Sequence, residues 1–392
     1  VAWPHSVKRK FLRKKGTELP RVDYAPFDAG PIIEKLEQAR RILGTDHPNT
    51  QWLRRAMDSI EHGARLLSFR GTPEFYFWSE KLYGSPSSKV LGGGTTALEL
   101  ARAVACATCL PTGDTLVEPT EYLSAIEAKD AIARKIDRFF GAATPPVVLD
   151  DGIVAKAISG PNRIRLNSHA QFKQKEIDQL VQHEAFVHVA TFLNGRAQVT
   201  MPLLAAGHPG ITKTQEGLAV FAEIMTGTMD SLRFRRLADR AIAIDMAIQG
   251  ADFIDVWRYF RSEGDCLEDA YDHSQRVFRG GVVTGGAPFT KDVVYLEGLL
   301  QVQRFFSTAV RSARLDHIQA LFCGKVGIAD VAEIAALIDD GTCVKARFLP
   351  PFVKDLDQLN CFVSYNNFLT DIAVRELQDR NRTSDESGEK LC

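Results

Sequence analysis

Apolar residues after residue 30 recur mostly at intervals of three and four, the spacing of an α-helix that buries one face. The predicted helices are 32–43, 49–67, 96–109, 173–194, 213–228, 230–247, 251–262, 265–278, 291–312, 316–323, 328–339 and 366–378. The chain is therefore expected to be mostly helical, with a helical C-terminal half.

One β-region interrupts this pattern, between Pro145 and Asn167. Asp151-Gly152 separates two apolar runs, which is a hairpin signal, and the alternating segment RIRLN at 163–167 predicts a strand. The fold class is therefore predicted to be α+β with a small β-sheet. A peptide can bind by adding a strand to a sheet edge, although for RIRLN an ordinary place in the sheet is the favoured interpretation.

The chain divides into a basic arm, one domain and a polar tail. Residues 1–25 are rich in Lys and Arg and predict a flexible, solvated arm that could touch an acidic partner. A single domain is expected over 26–378, with helices to about 110, the β-region at about 145–167, a histidine-containing helix at about 173–194 and a helical remainder. Residues 379–392 are polar and are expected to be disordered.

Composition and charge narrow the classes of function. Of the 392 residues 45% are hydrophobic and 25% charged, and the net charge is −1, so no global field favours nucleic acid or a membrane as partner. No run of eighteen apolar residues predicts a membrane span, and no apolar segment follows the basic N-terminal cluster as in a secretion signal. Nucleic-acid binding by the arm is disfavoured because only Phe11 interleaves with its charges.

The seven cysteines are scattered and odd in number, which does not indicate a disulfide framework. A reducing cytoplasm is the expected location. Cys106 and Cys109 form a C-x-x-C within a predicted helix, and helix packing is favoured there over metal binding or redox chemistry.

The segment HEAFVH places a glutamate, Glu184, between two histidines, His183 and His188. The zinc-peptidase signature H-E-x-x-H spaces its histidines four residues apart, whereas these are five apart. At about 100° per residue they would point about 140° apart on a regular helix. One π-type insertion reduces that angle to about 40°, so we predict a widened turn between His183 and His188. The alternative is a buried helix with two hydrogen-bonded histidines.

A third metal ligand is expected from the segment GHPGITKTQEGLAV. Thr212 and Gln215 fit a capping box that starts a helix, which places Glu216 in its first turn, where a carboxylate is favoured. Gly217 predicts a close approach to the histidine helix. His208 is a less favoured rival ligand, because it lies in a turn before a proline. His183, His188 and Glu216 thus form a candidate site for one Zn²⁺ ion.

Several motifs resemble those of the microtubule-associated tyrosine carboxypeptidase family and its bacterial relatives, the QEGLA-motif proteins. They are YGSP at 83–86, HEAFVH at 183–188, TKTQEGLA at 212–219, RVFRGG at 276–281 and FTKDVVYLEG at 289–298. The resemblance covers about residues 30–310 and implies a zincin-like zinc peptidase of gluzincin type, with His183, His188 and Glu216 as zinc ligands and Glu184 as catalytic glutamate. It also implies removal of a residue from a protein C-terminus. In animal members the substrate is the terminal tyrosine of α-tubulin, and for this chain tubulin is left open as a partner.

Further residues are expected to assist such a reaction. Glu223, one heptad after Glu216, is a candidate acceptor for a histidine N–H behind the zinc ligands, with a surface position as the alternative. The candidates for binding a substrate carboxylate are Arg276, Arg279 and Lys291, and Tyr295 is a candidate catalytic donor to an oxyanion. The alternative for the arginines is pairing with acids of their own helix, Asp269 or Asp272.

The function predicted from the sequence is a zinc carboxypeptidase that removes one residue, aromatic in the animal members, from a peptide or protein C-terminus. Glu184 would act as general base toward a zinc-activated water. Two alternatives stay open: a zinc endopeptidase with the same chemistry, and a regulatory binding protein without enzymatic activity.

Overall fold

The computed structural model describes residues 3–44, 50–108, 122–153, 155–160 and 162–387, and these form a mostly helical α+β fold. The helices are α1 His5–Arg13, α2 Gly30–Leu43, α3 Gln51–Ser68, α4 Glu74–Tyr83, α5 Ala97–Ala107, α6 Ala125–Phe140, α7 Gln174–Leu180, α8 Ala190–Arg196, α9 Thr212–Met225, α10 Ser231–Ile248, α11 Phe253–Ser262, α12 Leu267–Phe278, α13 Val294–Arg311, α14 Leu315–Phe322, α15 Val331–Asp339, α16 Pro351–Lys354 and α17 Leu356–Ser387. A π-helix, Val181–Val189, joins α7 to α8. The predictions of a mostly helical α+β fold and of the helices from 173 onward are confirmed, apart from shifts at the helix ends.

The predicted β-region contains three strands, β2 Val147–Asp150, β3 Ala157–Ser159 and β4 Ile164–Asn167. Their order in the sheet is β2-β4-β3, with β4 parallel to β2 and antiparallel to β3. A separate pair consists of β1 Tyr122–Leu123 and β5 Phe172–Lys173. The hairpin predicted at Asp151-Gly152 is therefore wrong: the chain does turn there, since Gly152 N donates to Asp150 Oδ1 at 2.7 Å, but β4 lies between β2 and β3.

The strand order also decides which edge is open to a peptide. The predicted strand RIRLN corresponds to β4, which is central and has both edges paired. A substrate cannot extend the sheet at β4. The free edge on the side of β3 is the one that approaches the histidine segment, because the N–H of Ser159 donates to the Glu184 carboxylate.

The π-helix lies between two apolar clusters. Val181, Ala185 and Phe186 pack with residues of α6 and the β-sheet, while Val187 packs with residues of α9, α13, α14 and α15. Buried side chains therefore hold the histidine segment in place on both sides.

Helices α9 and α13 approach each other through glycines. A Cβ on Gly217 would lie 2.2 Å from the carbonyl carbon of Gly298, and a Cβ on Gly298 would lie 2.2 Å from the Lys213 carbonyl oxygen. No side chain fits at either position. The close approach predicted at Gly217 exists, but its partner is α13 and not the histidine helix, so that part of the prediction is wrong.

The basic N-terminal arm differs from its prediction. Residues 5–13 form α1, and Trp3 and Phe11 are buried at 4% and 3% exposure. The Phe11 ring lies 5.1 Å from that of Phe253, and Lys8 Nζ lies 2.6 Å from Asp272. The arm packs on α11 and α12 because Val7 and Phe11 share one face of α1 and Trp3, just before the helix, packs in the same apolar cluster. The surrounding charges hide this pattern in the sequence.

The C-terminal tail also differs from its prediction, since α17 continues through Ser387. Residues 379–387 are therefore helical rather than irregular, and 388–392 lie outside the described residues. Cys109, half of the C-x-x-C, also lies outside them. Among the described residues no helix combines the length and apolar character needed to cross a bilayer.

Candidate metal centre

The helix that carries both histidines is widened over nine residues, from Val181 to Val189. In this segment the backbone bonds reach one residue further than in an α-helix, so each turn holds more residues. The predicted widening between His183 and His188 is confirmed, and it extends further than the single inserted residue expected. As a result the two imidazole rings lie face to edge, with centroids 4.9 Å apart.

The two histidines and Glu216 bring their donor atoms to one point. Glu216 Oε2 lies 3.6 Å from His183 Nε2 and 3.8 Å from His188 Nε2. All three donor atoms lie within 4.8 Å of one another, and among the described residues no other group of His, Cys, Asp and Glu converges in this way. The three residues come from two elements, since Glu216 is on α9.

His183 is held from behind by a buried carboxylate. Its Nδ1 lies 2.7 Å from Glu223 Oε1, and Glu223 is fully buried. Arg233 in turn donates to both Glu223 oxygens at 3.2 and 3.3 Å. Burial opposes the charged carboxylate, but Arg233 and His183 lower the pKa of Glu223 to about 2. Glu223 therefore accepts a hydrogen bond from the Nδ1–H of His183, and the other ring nitrogen, Nε2, is directed toward Glu216.

Charge around Glu216 keeps this carboxylate ionised. Lys291 Nζ lies 3.3 Å from Glu216 Oε1. Burial opposes ionisation, yet Lys291 and the two histidines hold the pKa of Glu216 well below its usual range. Burial likewise opposes protonation of His183, but Glu216 and Glu223 raise its pKa to about 10. The cluster thus attracts positive charge strongly.

Glu184 lies beside the cluster without joining it. Its Oε2 accepts a hydrogen bond from the backbone N–H of Ser159 at 2.9 Å. In the described part of the chain this is the carboxylate's one hydrogen bond, so Oε1 has no protein partner there. A carboxylate in this position can take a proton from a water placed at the cluster.

His208, the rival third ligand, points elsewhere. Its Nδ1 lies 2.7 Å from Ser59 Oγ, and burial lowers its pKa to about 4. His208 is not part of the converging cluster. Glu216 is the acid that the fold brings to the histidines.

The candidate substrate-binding arginines differ in their hydrogen-bond partners. Arg276 forms a two-pronged bond with Asp292, at 2.6 and 2.9 Å. Its expected alternative partners are not used, since Asp272 pairs with Lys8. The guanidinium of Arg279 lies 5.6 Å from the centre of the Phe289 ring, and its buried Nε has no hydrogen-bond partner among the residues that the structure describes.

Sequence reasoning missed one arginine of this cluster, Arg240 on α10. It is 8% exposed, its Nε has no hydrogen-bond partner in the described part of the chain, and Asp292 Oδ2 lies 3.7 Å from that Nε. Burial and the neighbouring Arg276 lower its pKa to about 9. The missed signal was its helical spacing: Arg240 falls on the same stripe as Leu237 and Ile244, where a charged residue is costly without a function or a partner.

Tyr295 is buried beside these arginines. It is 7% exposed, and its hydroxyl lies 3.5 Å from Arg276 Nη2. Burial raises the pKa of Tyr295, and the charge of Glu216 raises it further. Burial also raises the pKa of the nearby Tyr83, to about 12. Both phenols therefore stay protonated and remain hydrogen-bond donors at neutral pH.

The fold and the cluster together define a class of protein. It is a helical α+β protein in which two histidines and a glutamate converge next to a second glutamate. The chain belongs to the microtubule-associated tyrosine carboxypeptidase family, whose model matches residues 9–371. The family name implies peptidase activity.

A candidate lipoprotein from Colwellia psychrerythraea, known from its crystal structure, is similar to this chain over 80% of the chain's length. The two have 15% sequence identity and a TM-score of 0.40. The match covers 55% of that protein, so the chain spans about half its length. No curated protein matches the chain.

Proposed function

We propose that the protein is a zinc-dependent carboxypeptidase with a zincin-like domain of gluzincin type. The observation that carries this proposal is the convergence of His183 Nε2, His188 Nε2 and Glu216 Oε2, at 3.6 and 3.8 Å across the two His–Glu pairs. Two ligands of one tetrahedral zinc ion are separated by about 3.4 Å, and zinc takes this combination of imidazole and carboxylate. The donor set and its spacing therefore fit the ion.

A bound zinc ion would supply a water of pKa about 7 and polarise the scissile carbonyl. Glu184 would take a proton on Oε1 as the water oxygen bonds to the carbonyl carbon, and would give it to the nitrogen as the C–N bond breaks, while the Ser159 N–H holds Oε2 in place. Tyr295 keeps its proton, so its hydroxyl can donate to the oxygen on which charge develops.

Cleavage at a C-terminus requires a cation for the terminal carboxylate. Arg279 and Arg240 each have a hydrogen-bonding atom left free, since their buried Nε atoms have no partner in the described residues. Arg276 is committed to Asp292, so we assign it to holding that aspartate among the arginines rather than to direct binding. Lys291 donates a hydrogen bond to Glu216. We therefore assign it to the charge balance of the metal cluster before any contact with the substrate carboxylate.

Aromatic side chains lie next to Arg279. Arg279 lies over the Phe289 ring, and the Tyr83 and Phe289 rings contact edge to face, with centroids 5.6 Å apart. Both rings are buried, at 7% and 5% exposure, so an aromatic terminal residue in the substrate is proposed from the family name. A tyrosine-ending tubulin tail is therefore the first protein substrate to test, and tubulin itself is a proposal that rests on the family name alone.

The free edge of β3 supports a peptide in extended form. The Ser159 N–H points to Glu184 and not to β4, so this edge faces the reacting groups, and a peptide can add a strand there. An endopeptidase would use the same edge. The arginines beside Tyr295 favour the exopeptidase.

The decisive experiment compares peptides that differ only at the C-terminus, one free and one amidated. We expect zinc at one per chain, cleavage of the free peptide alone, and a product shortened by one residue. Glu184→Gln should keep zinc and lose cleavage, and His188→Ala should lose both. Cleavage of the amidated peptide would point to an endopeptidase, and zinc-free protein without cleavage to a binding protein.

A further inference from the structure

A lysine outside all the motifs contacts the two segments that carry the candidate ligands. Lys325 follows α14, and its Nζ donates to the His188 carbonyl oxygen and to Gln215 Oε1, each at 2.9 Å. Its own backbone N–H donates to the Leu204 carbonyl at 2.6 Å. The lysine therefore reaches from an anchored loop to the π-helix on one side and to α9 on the other.

The partners of this ammonium are unusual. Within the described residues it donates to two uncharged oxygens and to no carboxylate, although the side chain is partly buried. Glu216 and Glu184 act on this charge without a hydrogen bond to it, and a charge withdrawn from water without a directly paired opposite charge is costly. A position that tolerates such a cost is more consistent with a specific task than with general packing.

Gln215 completes a small network. Its Oε1 also accepts from Thr191 Oγ1 at 3.0 Å, and Thr191 lies 3.2 Å from the His188 carbonyl. The capping box predicted for Gln215 is therefore wrong: α9 has no side-chain cap, and the glutamine side chain bridges to the histidine segment instead. Gln215 is adjacent to Glu216, so the network joins the backbone of one ligand to the neighbour of another.

A π-helix depends on such outside contacts. The wider turn packs less tightly than an α-helix and is rare outside functional sites. Nothing in the local sequence sets the distance between His188 and Glu216, because they belong to different elements. The Lys325 ammonium spans that gap with one group.

We propose that Lys325 is a positioning residue, which holds the π-helix and α9 at the spacing at which His188 and Glu216 bind one metal ion. The part of this inference that concerns metal binding rests on the proposed function. Lys325 does not touch the reacting atoms; it acts through the His188 carbonyl and the Gln215 side chain.

Metal binding tests the proposal directly. Lys325→Met keeps the aliphatic part of the side chain and removes the ammonium. We expect zinc affinity to fall about 10- to 100-fold, as for other groups that orient ligands. The absorption bands of the cobalt(II)-loaded protein should shift as the ligand geometry changes. Lys325→Arg retains cationic donors and should restore most of the affinity. Unchanged zinc affinity and cobalt(II) bands in Lys325→Met would overturn the proposal.

A double-mutant cycle separates this role from general stability. Gln215→Met removes the shared acceptor, so Lys325→Met should cost little more zinc affinity in that background. Lys213→Met is the matched control, since Lys213 bonds Glu297 between α9 and α13 at 2.7 Å and neither residue belongs to the converging donors. It should lower the unfolding midpoint and leave zinc affinity unchanged. Additive losses in the cycle, or an equal loss in the control, would contradict the proposal.

Hydrogen exchange in the metal-free protein distinguishes failure of this proposal from failure of the proposed function. Lys325→Met should exchange amides of 181–196 faster than wild type, and Lys213→Met should not. If the wild-type protein bound no zinc, the proposed function would fall, and unchanged exchange in Lys325→Met would independently refute the anchoring of the π-helix.

Discussion

Replacing Glu223 by glutamine tests how His183 is prepared to bind a metal. Glu223 Oε1 lies 2.7 Å from His183 Nδ1 and 3.2 Å from Arg233 Nη2, while Oε2 lies 3.3 Å from Arg233 Nε. A glutamine has one acceptor oxygen in the same volume. Either His183 or Arg233 would then face an NH₂ group that can only donate.

Both orientations of the glutamine carry a cost. If the amide oxygen faces Arg233, His183 must move its proton to Nε2, the atom that faces Glu216. If it faces His183, Arg233 keeps its charge with no carboxylate at that position. Loss of such an orienting group lowers metal affinity about 10- to 100-fold, or about 1.4 to 2.7 kcal/mol.

The assay is competition between the protein and a chromophoric chelator for zinc at pH 7.5. Glu297→Gln is the matched control, because Glu297 is also buried, at 6% exposure, and bonds Lys213 on α9. It should lower stability without changing zinc affinity. If Glu223→Gln bound zinc as tightly as wild type, or if both variants lost affinity equally, the assigned role of Glu223 would be refuted.

Three further variants probe other parts of the structure. Tyr295→Phe should lower kcat by about 10²-fold or more with little change in KM, as for loss of one oxyanion donor; an unchanged kcat would remove Tyr295 from the mechanism. Gly217→Ala places a methyl group 2.2 Å from Gly298 and should destabilise by about 3 kcal/mol or more, which a wild-type urea midpoint would contradict. Burial lowers the folded pKa of His208 to about 4, below the unfolded value of about 6.5, so this group's contribution to stability is lost as pH falls from 6.5 to 4, by at most about 3 kcal/mol. In His208→Gln the urea midpoint should fall less between pH 7.5 and 4.5 than in wild type, and an equal fall would contradict this.

Local periodicity explains which features could be predicted. Helices α9 to α15 follow a three- to four-residue apolar period that each segment carries by itself. The widened turn followed from a local conflict, because His183 and His188 are five residues apart and a regular helix would separate them. The convergence of Glu216 with the histidines was predicted from its motif and the chemistry of its side chain, and the structure brings these donor atoms together.

The features that failed prediction involve partners distant in sequence. Asp151-Gly152 is a genuine turn, but no local signal reveals that β4 would insert beside β2. Gln215 fits a capping box as well as it fits its actual partners, Thr191 and Lys325. The basic arm was judged by its charges, although Phe11 decides how it packs.

The sequence alone thus determined most of the helices after residue 173, the need for a widened histidine turn and the identity of the residues suited to hold a metal ion. Tertiary structure decided the strand order, the glycine contact between α9 and α13, the burial of Arg240 and the contact of Lys325 with both ligand-bearing segments. The physical reason is that a helical face and a ligand type are properties of neighbouring residues. The spacing between two segments is set by packing and hydrogen bonds among residues far apart in the sequence, such as His188 and Lys325, which are 137 positions apart.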